Sequence, residues 1–373
     1  MASKIVSSLF RLSFLAVIFT FLFYPDKFNI VFESPGSPQS DSPYVRLAKV
    51  AFWLLFIIEI LRIFYYGVVK SKAKGVIANV VTITVPLLVT IILLEIIFMY
   101  IPQSHEGVLS KASQIWWEKY WKPVNSLGYH DREIVQESGK KNILFIGDSF
   151  AAGHGLKSVD ERFSNIIANK LGTEKYSVYN LGMSGADTRD EARRLEEFPV
   201  KPNVIVLEYF PNDIEKVGRE KGLTLTGAEP YADLTGPFAT LVKRFYLPNF
   251  IYWQLPHTSF GTFEKFVQTA YTDTTILNSH LRDLSKMVDY RDSTKSEMYA
   301  VFIPFLFQMD KSAGYTKPVE GYLRSKGVKV ITLTEEISGI LEKNRVVGKN
   351  DGHASAEVNA AIAEKLLKSM NRP

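Results

Sequence analysis

From Asn142 onward, five short apolar runs alternate with segments of helical period, and this alternation restricts the folds open to the chain more than any other feature. The runs are Ile143 to Ile146, Tyr176 to Tyr179, Val204 to Glu208, Met298 to Ile303 and Val328 to Leu333. Helical patterns cover Arg162 to Leu171, Thr188 to Glu197, Phe263 to Val288, Tyr315 to Lys326 and Ala356 to Met370. Unbroken Val/Ile/Leu runs mark strands covered on both faces, as in a parallel sheet. Strand and helix in alternation then predict an α/β fold: a three-layer, doubly wound parallel sheet of flavodoxin-like type.

The first hundred residues differ in kind. Apolar stretches at 5–24, 47–66 and 76–101 each approach or exceed the roughly 20 residues that cross a bilayer as a helix, so three transmembrane helices are expected ahead of the α/β domain. No small-residue cleavage site follows the first stretch, only Tyr24-Pro25-Asp26-Lys27, which favours a retained anchor over a signal peptide. The second stretch carries Glu59 and Arg62, three apart on one helical face, and the third carries Glu95. A charge near the bilayer centre costs roughly 2.5 to 3.5 kcal/mol. Glu59 and Arg62 therefore either pair within the bundle or meet a membrane partner. Lys70, Lys72 and Lys74 follow the second stretch and Lys4 and Arg11 lie near the amino terminus, whereas the first loop offers Lys27 among Asp26, Glu33 and Asp41. The positive-inside rule places the amino terminus in the cytoplasm and everything after Ile101 outside it, in the periplasm or extracellular space. Residues 102–140 then read as a juxtamembrane linker and 141–373 as the α/β domain. Trp116, Trp117, Tyr120 and Trp121 look like an interfacial aromatic belt, though a surface docking onto the domain has the same composition.

The chain has 373 residues, no cysteine and a net charge of +5 without a long Lys/Arg block. Disulfides, thiolate metal sites and a cysteine nucleophile are excluded, and nucleic acid is not an expected partner. His105, His130, His154, His257 and His280 show no metal-ligand spacing, so neither a metal nor another cofactor is expected, and His154 reads as a loop residue.

Polar groups gather where the strands end. Gly147-Asp148-Ser149 follows the first strand, Asn180-Leu181-Gly182-Met183-Ser184-Gly185 the second and Pro211-Asn212-Asp213 the third, while Asp351-Gly352-His353 precedes the last helix. Ligands of open α/β sheets lie at the carboxyl ends of the strands. Ester hydrolysis needs a nucleophile, a base, an orienting acid and oxyanion donors, and this rim contains all four.

In these blocks the chain resembles the SGNH hydrolases, the GDSL-like lipase/esterase family, over roughly 142–370. The resemblance implies Ser149 as nucleophile, His353 as base and Asp351 as the acid that orients it. It implies an oxyanion hole from the Ser149 and Gly185 N–H groups, with Gly182 as fallback, and the Asn212 amide. Two departures stand out: Phe210-Pro211-Asn212-Asp213 lacks the glycine usual in the third block, and Asp351-x-His353 is one residue shorter than the usual Asp-x-x-His. Activity is expected to fall below about pH 6.5, where an ordinary histidine protonates.

The lead-in from Asn125 to Glu133 resembles a segment preceding the first block in membrane-tethered SGNH proteins of bacterial surface-polysaccharide pathways. The implied substrate is an acylated or acetylated glycan outside the cytoplasm, hydrolysed in preference to transferred, beside a membrane-bound acyltransferase as partner. The alternatives are a lysophospholipase-like lipid esterase and a silent glycan-binding scaffold. An insertion at 215–260 contains Phe245, Tyr246, Tyr252 and Trp253, which read either as a substrate-binding groove or as packing.

Overall fold

The computed structural model describes residues 2–28, 33–34, 37–41, 43–67, 71–100, 110–225, 231, 234–255, 260–348 and 351–370, and the chain divides into two compact units at Ile97/Phe98.

In the first unit, helix α1 (Ala2–Phe23) packs against α2 (Pro43–Gly67), and α3 begins at Ser71 and runs to Tyr100. The buried positions Ser8, Leu15 and Leu22 on α1, and Val45, Phe52 and Glu59 on α2, recur every seven residues. That spacing is the seam of two helices wound gently around each other. The rings of Phe19 and Phe23 lie 5.6 and 5.4 Å from Phe52. Glu59 accepts hydrogen bonds from Arg11 Nε at 2.7 Å and Nη2 at 3.1 Å, with Arg62 Nη1 at 3.6 Å. The main counter-charge of Glu59 is therefore Arg11, on the neighbouring helix, with Arg62 in a lesser role. Among the described residues two helical stretches, Lys4–Phe23 and Ile83–Tyr100, are long and apolar enough to cross a membrane; α2 is not one of them.

The second unit is built on five parallel strands: β1 (Lys141–Ile146), β2 (Tyr176–Asn180), β3 (Val204–Tyr209), β4 (Glu297–Phe302) and β5 (Lys329–Thr332). Their spatial order is β2-β1-β3-β4-β5. This is the doubly wound order in which the chain reverses direction between β1 and β3, opening a crevice at their carboxyl ends. Each expected strand forms, with ends displaced by about two residues at most. Ile143, Leu144, Phe145 and Ile146 are all buried, so both faces of β1 are covered, as its unalternating sequence requires. Helices α6 (Phe163–Leu171) and α16 (Ala356–Met370) pack on each other, as do α7 (Thr188–Glu197) and α12 (Thr274–Thr294). A short antiparallel pair, β6 (Val346–Gly348) and β7 (Asp351–Ala354), leads into α16.

Two expectations are corrected. The helix expected over Phe263 to Val288 is two, α11 (Phe260–Thr272) and α12, because the Asp273 carboxylate accepts from Thr275 N at 2.8 Å and Ile276 N at 3.0 Å and starts a new helix. Residues 110–140, read as a linker, instead pack on the sheet. Helix α4 (Lys111–Tyr120) is capped by Ser110, and the segment after it runs along the edge strand β2. There Asp131 accepts from Asn180 N at 2.7 Å and meets the buried Arg162 at 3.4 Å, while Tyr179 donates to the Val135 carbonyl at 2.6 Å. Asn125 closes the first turn of this strap by accepting from Leu127 N and Tyr129 N. Trp121 is 1% exposed and stacks on Trp117 at 5.1 Å, so these two belong to the domain's packing, whereas Tyr120 of the same group is exposed.

Asp273→Ala is expected to cost about 1 kcal/mol through loss of the α12 cap. The measurement is the urea midpoint, which should fall with an unchanged slope.

Candidate active site

The nucleophile turn is dictated by close backbone approach. β1 ends at Ile146, and α5 (Ser149–Ala152) starts three residues later, with Asp148 as its cap accepting from Phe150 N at 2.8 Å. A Cβ on Gly147 would lie 2.5 Å from Glu208 Oε2, and one on Gly182 would lie 2.3 Å from Ala152 N. Neither position has room for a side chain. Asn180 ties the two rim loops together: its amide donates to the Ala151 carbonyl and Ser164 Oγ, both at 2.8 Å, and its oxygen accepts from Gly182 N at 2.8 Å.

Ser149 Oγ lies 2.8 Å from His353 Nε2, and His353 Nδ1 lies 2.5 Å from Asp351 Oδ1, which also accepts from His353 N at 3.1 Å. The unusual two-residue spacing has a simple cause. Asp351 and His353 occupy strand β7, where residues i and i+2 point to one face, so the shorter spacing brings acid and base together. Gly155, at φ +83°, leaves space for this carboxylate, since a Cβ there would stand 3.0 Å from Asp351 Oδ2 and 2.6 Å from Val347 Cγ2.

Burial opposes the His353 imidazolium, but the charge and hydrogen bond of Asp351, with the charge of Asp148, outweigh it and raise the pKa above the ordinary 6.5. Burial likewise opposes ionisation of Asp351, and His353 overcomes it, lowering the Asp351 pKa.

The three oxyanion donors expected from the sequence differ in availability. The Ser149 and Gly185 N–H groups have no hydrogen-bond partner among the described residues. Asn212 Nδ2 directs one N–H to Asp148 Oδ2 at 2.9 Å, which leaves its second N–H. Gly182 N is occupied by Asn180, which removes the fallback. The missing glycine of the third block is replaced by a different local device: Pro211 opens a 3-10 turn over Pro211–Ile214, and Asp213 Oδ2 accepts from Phe210 N at 3.0 Å.

The aromatic residues expected to bind substrate are not brought to this rim. Tyr252 and Trp253 are buried with Val242 in a small cluster of their own, joining α10 (Tyr246–Gln254) to α9 (Gly236–Arg244). The Tyr246 ring lies under Lys111, and Phe245 is exposed. Large apolar side chains on two short helices satisfy one another, which is the packing alternative. Beside Ser149 stand instead Phe150 and Phe210, stacked 4.1 Å apart, with Phe150 also 5.0 Å from the His353 ring. The sequence signal for them was adjacency to blocks one and three. His154, read as a loop residue, lies 5.2 Å from the His353 ring. His130 Nδ1 donates to the Trp121 carbonyl at 3.1 Å, His280 is buried against Tyr209, and His105 and His257 lie outside the described residues.

Below the nucleophile turn lies a set of buried carboxyls. Burial first, and then the mutual repulsion of their charges, raises the pKa of Glu208 and Asp213 well above the ordinary range and that of Glu191 to about 8. Arg194 stands among them and donates to the carbonyls of Leu181 and Gly147.

No protein-family model matches the sequence, and no curated protein does. Among solved structures the chain is similar to a lipolytic protein of the G-D-S-L family from Veillonella parvula, at 15% identity and TM-score 0.38, over 62% of this chain and 100% of that one. It is also similar to the psychrotrophic esterase EstA from Pseudoalteromonas, at 15% identity and TM-score 0.36, over 62% and 97%. A two-domain esterase active on acetylated mannans is similar at 14% identity and TM-score 0.34, over 61% of this chain and 48% of that one. At TM-scores below 0.5 these likenesses decide neither fold nor activity.

A base of raised pKa must lose its proton to act, so ester turnover is expected to fall through a midpoint above pH 6.5. Asp351→Asn should lower that midpoint and reduce kcat by roughly 10⁴-fold; a pH–kcat/KM profile of both proteins checks this. Glu191 has a folded pKa above its unfolded value, so it lowers stability progressively as pH rises from about 4 toward about 8. Glu191→Gln should flatten this decline, read as a smaller drop in Tm between mildly acidic and mildly alkaline buffer.

Proposed function

We propose that this protein is a membrane-anchored serine esterase of SGNH type. The observation that carries the reading is the continuous hydrogen-bonded chain Ser149 Oγ, His353 Nε2, His353 Nδ1 and Asp351 Oδ1, at the strand ends where two backbone N–H groups and the Asn212 amide remain to donate. His353 takes the Ser149 proton as the oxygen attacks an ester carbonyl, and Asp351 steadies the resulting imidazolium. Negative charge on the carbonyl oxygen is met by the donors of Ser149, Gly185 and Asn212, each such donor typically worth about 10²- to 10³-fold in rate. Collapse expels the alcohol with the proton from His353 and leaves an acyl-serine. Water, activated by the same histidine, then releases the acid.

The proposed substrate is an O-acylated glycan outside the cytoplasm. The lead-in from Asn125 to Glu133 supports the surface-polysaccharide setting, and Lys4, Lys70, Lys72 and Lys74 support an inward amino terminus. Arg11 contributes less to that balance than its sequence position implies, because Glu59 neutralises it. Three membrane passes, an outward-facing domain and a membrane-bound acyltransferase partner complete the proposal. The reading as a lipid esterase loses its main support in Tyr252 and Trp253, which are spent on packing.

Intact mass after treatment of the detergent-solubilised full chain with a fluorophosphonate tests the reading. One adduct is expected, absent from Ser149→Ala, together with turnover of aryl acetates that declines steeply for long acyl chains. A folded protein with no adduct and no turnover would sink the esterase reading, and preference for long chains would replace glycan by lipid.

A further inference from the structure

Trp117, His154 and His353 form a column of three rings. The Trp117 and His154 centroids are 4.2 Å apart at 17°, and those of His154 and His353 are 5.2 Å apart at 25°. Trp117 continues the column to Trp121, at 5.1 Å and 18°, which anchors it in the core. His154 is itself held in place by its neighbours. Gly153 and Gly155 have φ of +79° and +83°, and a Cβ on the first would lie 2.9 Å from Arg162 Cδ. Two further contacts reach the reacting groups. His154 N donates to the Ser149 carbonyl at 2.9 Å, and His154 Nδ1 lies 2.8 Å from the hydroxyl of Ser184, the residue before Gly185.

We propose that His154 is a positioning residue: one ring sets both the orientation of the base His353 and the loop that presents the Gly185 N–H. The proposal rests on the esterase reading for its rate consequences, and on the ring column and the Ser184 bond for its geometry. A flat aromatic neighbour limits rotation of His353 about its side-chain bonds, while the bond to Ser184 joins the base to the oxyanion loop. Burial, then the charge of His353, hold the His154 pKa down to about 3, so it stays neutral and does not oppose the imidazolium formed during attack. The other titratable groups facing this pair are Asp351, Asp148 and His130.

Three substitutions separate the two contacts: His154→Ala removes both, His154→Phe keeps a ring without the nitrogen, and Ser184→Ala removes the hydroxyl. With aryl acetate, His154→Ala is expected to lower kcat by about 10²-fold with KM within about twofold, because the loss falls on a transition-state donor and the base. His154→Phe and Ser184→Ala should each lose about tenfold, and the double variant His154→Phe/Ser184→Ala no more than either, since both delete one bond. Wild-type kcat in all variants, or additive losses in the double variant, would overturn the proposal. Near-wild-type Tm for His154→Phe and Ser184→Ala separates these effects from misfolding.

NMR titration of the imidazoles distinguishes this proposal from the reading it rests on. Opening the face of His353 to water should raise its pKa in His154→Ala and return it toward the wild-type value in His154→Phe. An unchanged His353 pKa throughout overturns the positioning role whether or not an ester is hydrolysed. The expected pKa changes in a wild-type protein that neither labels nor turns over would support the positioning role and overturn the esterase reading alone.

Discussion

One buried carboxylate joins two of the strand ends on which the site is built, those of β1 and β3. Asp148 is 1% exposed; it accepts from Phe150 N, so α5 begins where it does, and from Asn212, so the third rim loop is tied to the first. Its own N–H points to Glu208 on β3 at 3.3 Å. A buried acceptor of this kind must have its hydrogen bonds satisfied, and here the partners are the backbone and side chains that shape the nucleophile turn. Remove that group and Ser149 loses its helix cap while Asn212 loses the bond that orients it. The raised pKa of the carboxyls beneath, Glu191, Glu208 and Asp213, follows from the same crowding: burial first, and then adjacent negative charge, disfavours their ionisation.

The two departures from the SGNH pattern show that spacing has meaning only with its secondary structure. Two residues along a strand and three or four along a helix both return a side chain to one face. Asp351 and His353 are on a strand, so their separation suits the backbone that carries them. Pro211 with the Asp213 side chain likewise makes a turn at Asn212 without positive φ, and a glycine there has no task.

Strands and the rim blocks were legible because both depend on residues near in sequence: apolar runs that define a covered strand, and turn residues that follow it. Ser149, Asp351 and His353, singled out through the resemblance of these blocks, lie within hydrogen-bonding distance of one another in the structure. What was hidden is what forms through space. The Asp273 break interrupts a segment whose apolar period barely changes. Arg11 meets Glu59 across helices, where sequence offers only the local neighbour Arg62. The tryptophans of α4 have one composition for two surroundings, lipid or protein. His154 had a single sequence hint, the glycines on either side, whose positive φ signals a tightly placed residue.

Ser149 and His353 stand 204 positions apart in the sequence. The serine turn, its cap and the Gly185 and Asn212 amides all precede in sequence the hairpin that carries His353. Until that hairpin docks, Ser149 Oγ lacks its His353 partner, and contacts of such sequence separation carry a loop-closure cost that slows their formation.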